Sequence, residues 1–262
     1  YMGFTDNQAA GLGYTYQKDG WRLDVDGFKN QALNQSNTYG GTAGGGYKEL
    51  NGGNARLAYT YSMPRGDTLN VNAGVQGGQI QNKDARNQPK GTRYAATVAA
   101  DAEFKHVGIG KVTLQGQVVE YKYNIPDGSS SALGTGKMIR FQNYGFNESP
   151  VPSKGQIYSA NIEYGVPIHN FGPLNKIAVY DNYQYLHSGY GTVNSGAYHV
   201  GDTQANQAGI EFVAGPVYAW ADYISGKNDG ASFDGPNNGK WHNRFNLAIG
   251  YYFSGTVVNS GS

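Results

Sequence analysis

The sequence of 262 residues contains no cysteine. That absence excludes disulfide scaffolds, thiolate zinc sites and cysteine nucleophiles, and it leaves the redox compartment undefined. Long apolar runs are also missing, because the mean hydropathy is −0.56 and no stretch approaches the roughly 18 apolar residues of a membrane-spanning helix. Ten Phe and three Met leave little material for a conventional soluble core. A membrane protein of this polarity would have to be a β-barrel, in which half of each strand is hydrophilic.

A dominant charge is lacking as well, because 20 Lys and Arg balance 19 Asp and Glu to a net charge of +1. This balance predicts no nucleic-acid partner. The five histidines have no metal-ligand spacing, and none is placed beside a nucleophile on one face, as a Ser/His/acid enzyme requires. We therefore expect no cofactor, no metal and no enzymatic activity.

Alternation of apolar and polar residues is what the chain does have. From Phe245 to Phe253 every second residue is apolar, and the residues between are small, polar or amphipathic. A strand sends successive side chains to opposite faces, so this segment has one apolar face and one polar face. The pattern recurs from Leu12 onward, and no segment shows a sustained helical period. The 22 Tyr often end the apolar faces, with small aliphatic residues between, which is typical of aromatic girdles flanking a lipid band.

The connections between predicted strands alternate in length. Short connections with turn chemistry lie at 18–20, 64–66, 107–108, 170–173 and 215–216. Long polar connections lie near 30–52, 79–91, 124–155, 188–203 and 226–240. Short periplasmic turns and long extracellular loops are typical of outer-membrane barrels. We predict an all-β fold, a transmembrane antiparallel up-and-down β-barrel over residues 1–253, with about twelve strands visible. The 124–155 loop, with a strand-like piece from Met138 to Phe146, is predicted to fold into the lumen.

The strand count has an expected complication at each terminus. Counting back from Phe253, the strand near Gln8 begins on the extracellular side, whereas bacterial barrels have even counts with both ends periplasmic. We expect at least one further strand upstream of Tyr1, unless residues 1–4 are a strand end that closes the sheet. Residues 254–262 are expected to be a polar tail or a cloning remnant.

The C-terminal segment carries a family resemblance. Tyr251-Tyr252-Phe253, after Arg244-Phe245-Asn246-Leu247, resembles the closing strand of Gram-negative outer-membrane porins. Residues 212–218, 222–228 and 241–244 resemble the last hairpins of the phosphate-selective porin group and its uncharacterised relatives. The resemblance implies a homotrimer of barrels with roughly 14 to 18 strands that passes anions. It also implies that Phe253 is the signal read by the barrel-assembly machinery, and that outer-membrane lipid and lipopolysaccharide surround the barrel.

The charged residues of the predicted polar faces are the candidate pore lining. The bases are Arg22, Arg56, Arg93, Lys111, Lys176, Lys240 and Arg244, together with His242. The acids are Asp24, Asp26, Asp101, Glu103, Glu163, Glu211 and Asp222. Segment 217–226 is ambiguous, because Asp222 shares a face with Tyr218 and Trp220. A phosphate filter needs a ring of one sign, which these balanced charges do not provide. Lys240, His242 and Arg244 either form a local basic patch or pair with acids on the neighbouring strand.

These patterns predict a passive diffusion channel of the bacterial outer membrane, admitting small hydrophilic solutes or ions. Its opposed charges would set a transverse field rather than a strong ion preference. Two other functions stay open on the sequence alone. One is a closed barrel with a structural or adhesion role, and the other is a soluble all-β carbohydrate-binding protein.

Overall fold

The computed structural model describes residues 9–31, 47–82, 90–125, 136–141, 149–195, 198–228 and 239–252. Within these ranges the chain is all-β apart from a short 3-10 turn at Pro64–Gly66. None of the described helical structure has the length and apolar character needed to cross a membrane. The strands, numbered in chain order, are Ala9–Lys18 (β1), Trp21–Gln31 (β2), Tyr47–Ser62 (β3), Thr68–Asn82 (β4), Gly91–Val107 (β5), Gly110–Asn124 (β6), Met138–Phe141 (β7), Ser149–Pro152 (β8), Lys154–Pro167 (β9), Leu174–Ser188 (β10), Val193–Ser195 (β11), Tyr198–Val200 (β12), Thr203–Ala214 (β13), Val217–Lys227 (β14) and Trp241–Tyr251 (β15).

Eleven strands form one large antiparallel sheet, in the order β1-β2-β3-β4-β5-β6-β9-β10-β13-β14-β15. The remaining four form two small two-stranded sheets, β7 with β8 and β11 with β12, inside the long connections. The predicted all-β, antiparallel architecture is therefore confirmed, with eleven strands in the sheet where about twelve were expected. The predicted strand end at residues 1–4 lies outside the described residues.

The short turns form where the sequence supplies residues that accept a left-handed backbone. Between β1 and β2, Asp19 and Gly20 have φ of 50° and 85°. Two consecutive positive φ values give the type I′ hairpin turn, which matches the twist of the flanking strands and favours Asp-Gly. Lys18 and Trp21 are consequently paired directly across the turn, and this pairing fixes the register of the hairpin.

The two faces of the large sheet differ sharply in chemistry and exposure. Directly opposed residues share a face, and the pairs Tyr14–Val25 and Leu57–Ala73 belong to a face that we call the apolar face. Its side chains are exposed: Val98 is 65% and Ile249 72% accessible. Along β15 exposed residues, all of them apolar except Asn243, alternate with half-buried ones for the whole length of the strand. The other face, called the polar face, is therefore the more shielded of the two.

The two ends of the sheet differ as well. At the short-turn end, consecutive strands are joined by the compact turns, whereas the long connections leave from the opposite, long-loop end. At the long-loop end the polar face carries an apolar cluster of buried side chains: Ile80, Tyr121, Tyr123, Ile157 and Leu186. A second small cluster, Met138, Val193 and Val200, joins the two small sheets. The long connections are thus anchored to the sheet through apolar packing.

Candidate pore-lining surface

The register of the sheet brings most of the predicted lining charges onto the polar face. Asp24 is directly opposite Arg56, and the same alternation carries along every strand pair. The predicted lining residues on this face are Arg22, Asp24, Asp26, Arg56, Arg93, Asp101, Glu103, Lys111, Glu163, Lys176, Glu211, Asp222, His242 and Arg244. Lys240 is the exception, because it precedes β15 and is exposed. Phe253, the predicted assembly signal, lies outside the described residues.

A first group of charges lies on β1 to β3. The Arg22 guanidinium binds the Asp24 carboxylate from the same strand, with Nε 2.9 Å from Oδ2. Thr15 on β1 donates a hydrogen bond of 2.8 Å to Asp24 Oδ1. The main acid of this group is thus held by its own strand and by a neighbour, rather than by the opposite base Arg56.

A second group crosses β9, β10 and β13 near the short-turn end. Lys176 Nζ lies 2.8 Å from Glu163 Oε1 and 2.8 Å from Glu211 Oε2, so one ammonium bridges carboxylates on both neighbouring strands. A similar pair joins Lys111 Nζ to Glu103 Oε2 at 3.0 Å on β6 and β5. These groups are partly exposed, so they contribute little to stability. Their effect is to fix where positive and negative charge lie along the surface.

Asp222 belongs to the polar face together with Tyr218 and Trp220, which resolves the ambiguity of segment 217–226. Asp222 is only 4% exposed. It accepts a hydrogen bond from Tyr180 and a longer one, 3.4 Å, from Asn246 Nδ2. The side chains of β14 therefore place a buried, hydrogen-bonded carboxylate on this surface.

Aromatic rings flank these carboxylates at the short-turn end. Trp220 Nε1 donates to Glu211 Oε1 at 3.2 Å. The Tyr218 ring lies 4.6 Å from the Trp220 ring and 4.7 Å from the Tyr252 ring, centroid to centroid. The sequence did not assign these rings to the pore-lining surface, because aromatic residues were expected on the apolar face.

The described parts of the 124–155 connection pack on the polar face at the long-loop end. The Tyr121 hydroxyl donates to the Pro152 carbonyl at 2.9 Å, and the Tyr123 amide donates to the Ser153 carbonyl at 2.7 Å. Val151 and Ile125 pack against the apolar cluster. Of the predicted strand-like piece at 138–146, Met138–Phe141 form β7, which pairs with β8 and is separate from the large sheet, and 142–146 lie outside the described residues.

Alternation along single strands does not predict the apolar cluster, although the sequence carries a signal for it. At the long-loop end the strict alternation breaks into adjacent apolar pairs, Val118-Val119, Ile157-Tyr158 and Tyr185-Leu186. A strand that is covered on both faces has such continuous apolar stretches. The breaks therefore mark where another segment packs on the polar face.

Asp202, between β12 and β13, organises the long-loop end of β10. Its Oδ2 accepts a hydrogen bond of 2.6 Å from Tyr185, and its Oδ1 accepts one of 2.8 Å from the Ser188 amide. His187 Nδ1 lies 3.3 Å from Oδ1. The proximity of Ser188, His187 and Asp202 is not a catalytic triad, because the Ser188 hydroxyl donates to the Gly191 carbonyl at 2.7 Å.

We expect acidification to loosen this contact. Burial raises the pKa of Asp202, but the hydrogen bonds from Tyr185, Ser188 and His187 more than offset it, so the pKa lies below its ordinary value of 3.8. A carboxyl with a lowered pKa stabilises the fold above its unfolded pKa and loses that contribution as the pH falls through the folded value. The hydrogen-exchange protection factor of the Ser188 amide should therefore decrease at pH values below 3.8.

Two controls accompany the exchange measurement. Asp202→Asn should show weaker protection of the Ser188 amide at neutral pH and no further acid-induced loss. The Met63 amide, which donates to the backbone carbonyl of Asp67 at 2.8 Å, should keep its protection throughout. Equal acid-induced loss in wild type and Asp202→Asn would contradict the role of the carboxylate.

Within the described ranges, no group of three or more His, Asp or Glu side chains is arranged to hold a metal ion. Comparison of the chain with protein-family models, with curated proteins and with solved structures finds no match.

Proposed function

We propose that this protein is an outer-membrane porin, a passive diffusion channel for small hydrophilic solutes or ions. The observation that supports it is the inverted exposure of the two faces. Large side chains such as Leu12, Val98, Phe245 and Ile249 are exposed, while most of the predicted lining charges, Lys176 and Glu211 among them, lie on the more shielded face. A sheet that shields its polar side has to curve around it, and a barrel with a wet lumen is the closed form of such a sheet.

The exposed apolar face argues against a soluble protein. Monomeric soluble proteins rarely expose contiguous apolar patches larger than a few hundred Å². Here exposed large apolar residues occur on strands throughout the large sheet, from Leu12 on β1 to Tyr251 on β15. Acyl chains are the solvent that suits such a surface, and a closed antiparallel sheet is the strand architecture that can span them. The soluble carbohydrate-binding alternative is therefore disfavoured.

The arrangement of charge supports a weakly selective channel rather than an anion filter. Lys176 is matched by two glutamates, and Arg22 is matched by Asp24. Selectivity in pores comes from rings of one sign. Mixed pairs on one surface instead give a transverse field, which orients dipolar solutes without excluding either ion. Homotrimer assembly and recognition of Phe253 by the barrel-assembly machinery are proposed on the sequence resemblance alone.

A closed barrel with a structural or adhesion role is the second candidate. The apolar cluster and the segment Val151–Ser153 occupy the polar face at the long-loop end, where they would narrow or fill a lumen. In a channel this packing leaves an aqueous path past the cluster, whereas in a closed barrel it leaves none.

Planar-bilayer recording separates these functions. The porin proposal predicts stepwise, ohmic conductance from purified protein. A barrel that gives no conductance steps would contradict the channel and favour the closed barrel with a structural or adhesion role. Heat-modifiable gel mobility and dependence on detergent test the barrel itself. A protein that stays monomeric and folded without detergent, with no heat-dependent shift, would contradict both membrane functions.

Replacing Lys176 tests the assignment of the polar face to the pore lining. Lys176→Gln leaves Glu163 and Glu211 without their shared base, so the local charge becomes more negative. We expect the cation-to-anion permeability ratio, measured from reversal potentials in a salt gradient, to rise about twofold. Lys18→Gln, at an exposed position on the apolar face, is the matched control and should leave the ratio unchanged. The same ratio in all three proteins would remove Lys176 from the lining.

A further inference from the structure

Two lysines face each other on the exposed side of the sheet. Lys122 on β6 is directly opposite Lys154 on β9. They lie on the apolar face, because Val118 and Tyr158, four residues away on the same two strands, are also opposite each other and exposed. Like charges placed directly opposite in an antiparallel pair destabilise the sheet. An anion held between the two ammonium groups would offset this repulsion.

The described protein supplies no such partner. Among the described residues, neither ammonium lies within ion-pair or hydrogen-bond distance of an acidic side chain. Glu120 is on the same face, two residues before Lys122, and does not reach either lysine. The Lys154 side chain is also closely bordered: a Cβ on Gly189 would lie 2.9 Å from its Cγ. The glycine leaves room for the lysine stem along the sheet.

The position of the pair relative to the aromatic residues indicates the partner. Tyr94, 44% exposed, is opposite Lys122. The rings of Tyr158 and Tyr185 stack on each other with their centroids 6.2 Å apart, and they lie on the short-turn side of Lys154. Tyrosine rings are enriched at the level of lipid headgroups, and lysine stems extend past apolar surface to place the ammonium there. The pair is therefore level with the Tyr94 ring and just beyond the rings of Tyr158 and Tyr185, at the long-loop end.

We propose that Lys122 and Lys154 together bind one phosphate group of an outer-leaflet lipid headgroup. This inference rests on the proposed function, since it requires the apolar face to contact lipid. Directly opposite Cβ atoms are about 5 Å apart, so two ammonium groups can reach one phosphate from both sides. The phosphate supplies the negative charge that the pair lacks. The long-loop end faces outward in the proposed orientation, so the lipid is a phosphorylated glycolipid of the outer leaflet.

Native mass spectrometry of the detergent-purified protein, titrated with diphosphorylated lipid A, tests the proposal. The double variant Lys122→Gln/Lys154→Gln should bind lipid A about thirtyfold more weakly than wild type. The charge-matched control Lys18→Gln/Lys105→Gln removes two positive charges at the short-turn end and should bind as wild type does. Equal affinity of wild type and the Lys122/Lys154 variant would overturn the proposal.

Two further ligands identify the chemistry. Phosphate-free lipid A should bind wild type as weakly as the double variant binds the diphosphorylated form; tight binding of the phosphate-free lipid would overturn the phosphate contact. Millimolar inorganic phosphate should not displace the lipid, and displacement would indicate a site for free anions instead. Heat-modifiable mobility checks that the double variant is folded.

Conductance, recorded on the same preparations in a phospholipid bilayer, keeps the two proposals distinguishable. If the wild-type protein shows no channel activity but binds lipid A in a lysine-dependent way, the porin proposal is contradicted and the lipid site stands. If the protein shows conductance steps but its lipid binding does not depend on the two lysines, the lipid site is contradicted and the porin proposal stands.

Discussion

Val98→Arg is expected to destabilise the protein by about 2–4 kcal/mol, because the proposed lipid contact of the apolar face would place this arginine among acyl chains near the bilayer midplane. Val98 is midway along β5, 65% exposed, and directly opposite Ala73 and Val118 on the neighbouring strands. The measurement is urea-induced unfolding of the protein folded into lipid vesicles. The cost depends on lipid contact, because in water the same substitution at an exposed strand position would be nearly neutral.

Thr97→Arg is the matched control for this substitution. Thr97 is the preceding residue on the same strand, and its hydroxyl accepts a hydrogen bond of 3.1 Å from Gln117 Nε2 on the polar face. An arginine there meets the wet side of the sheet, so we expect it to alter conductance while the free energy of unfolding changes much less. Equal destabilisation by the two arginines would contradict the assignment of the two faces.

Gly209→Val is expected to be strongly destabilising. Tyr180, Gly209 and Asp222 are consecutive in one cross-strand row, and Tyr180 reaches across the glycine to donate to Asp222. A Cβ at position 209 would lie 2.5 Å from Asp222 Oδ1 and 2.7 Å from the Tyr180 ring. The valine would both overpack the row and displace Tyr180, leaving the buried carboxylate with only the longer hydrogen bond from Asn246. Together these effects should cost about 2–4 kcal/mol of unfolding free energy.

Gly116→Val provides the comparison in the same unfolding assay. Gly116 is also in the middle of a strand, but the nearest contact for an added Cβ is the Ser159 carbonyl at 4.0 Å. Valine favours strands, so this variant should match or exceed wild-type stability. If Gly209→Val and Gly116→Val unfold at the same urea concentration, the row through Asp222 has no special constraint.

The strands and their faces could be predicted from the sequence because the signal is local. A period of two over six or more residues, as from Tyr94 to Phe104, specifies both the strand and the side of each residue. The exceptions occur where that period fails. Asp181 is the middle residue of β10 and lies on the apolar face between Ile162 and Ala208, where it accepts a hydrogen bond of 2.6 Å from Asn206. The alternation of its neighbours predicts an apolar residue at this position, so it gives no indication of a charged side chain on the apolar face.

The residues that share the polar face could be predicted, but the pairings among them could not. Face assignment needs only alternation along one strand, whereas the bridge from Lys176 to Glu163 and Glu211 depends on the register of three strands. The partner of Asp24 shows the same limit, because the nearby base is Arg22 on its own strand rather than the opposite Arg56. The rings of Tyr218 and Trp220 were ambiguous, because aromatic side chains suit either face when a polar partner such as Glu211 is in reach.

The order of strands in the large sheet has a consequence for how such a protein changes size. Leaving aside the two small sheets, each strand is hydrogen-bonded only to the strands before and after it along the chain. Among the described strands of the large sheet no crossover joins distant parts of the chain, so a pair of adjacent strands is a self-contained unit. Duplication or loss of one hairpin would leave every other pairing in the sheet unchanged and would alter the width of the sheet by two strands. The architecture is therefore modular, and an engineered insertion of a hairpin at a long connection needs no redesign of the remaining sheet.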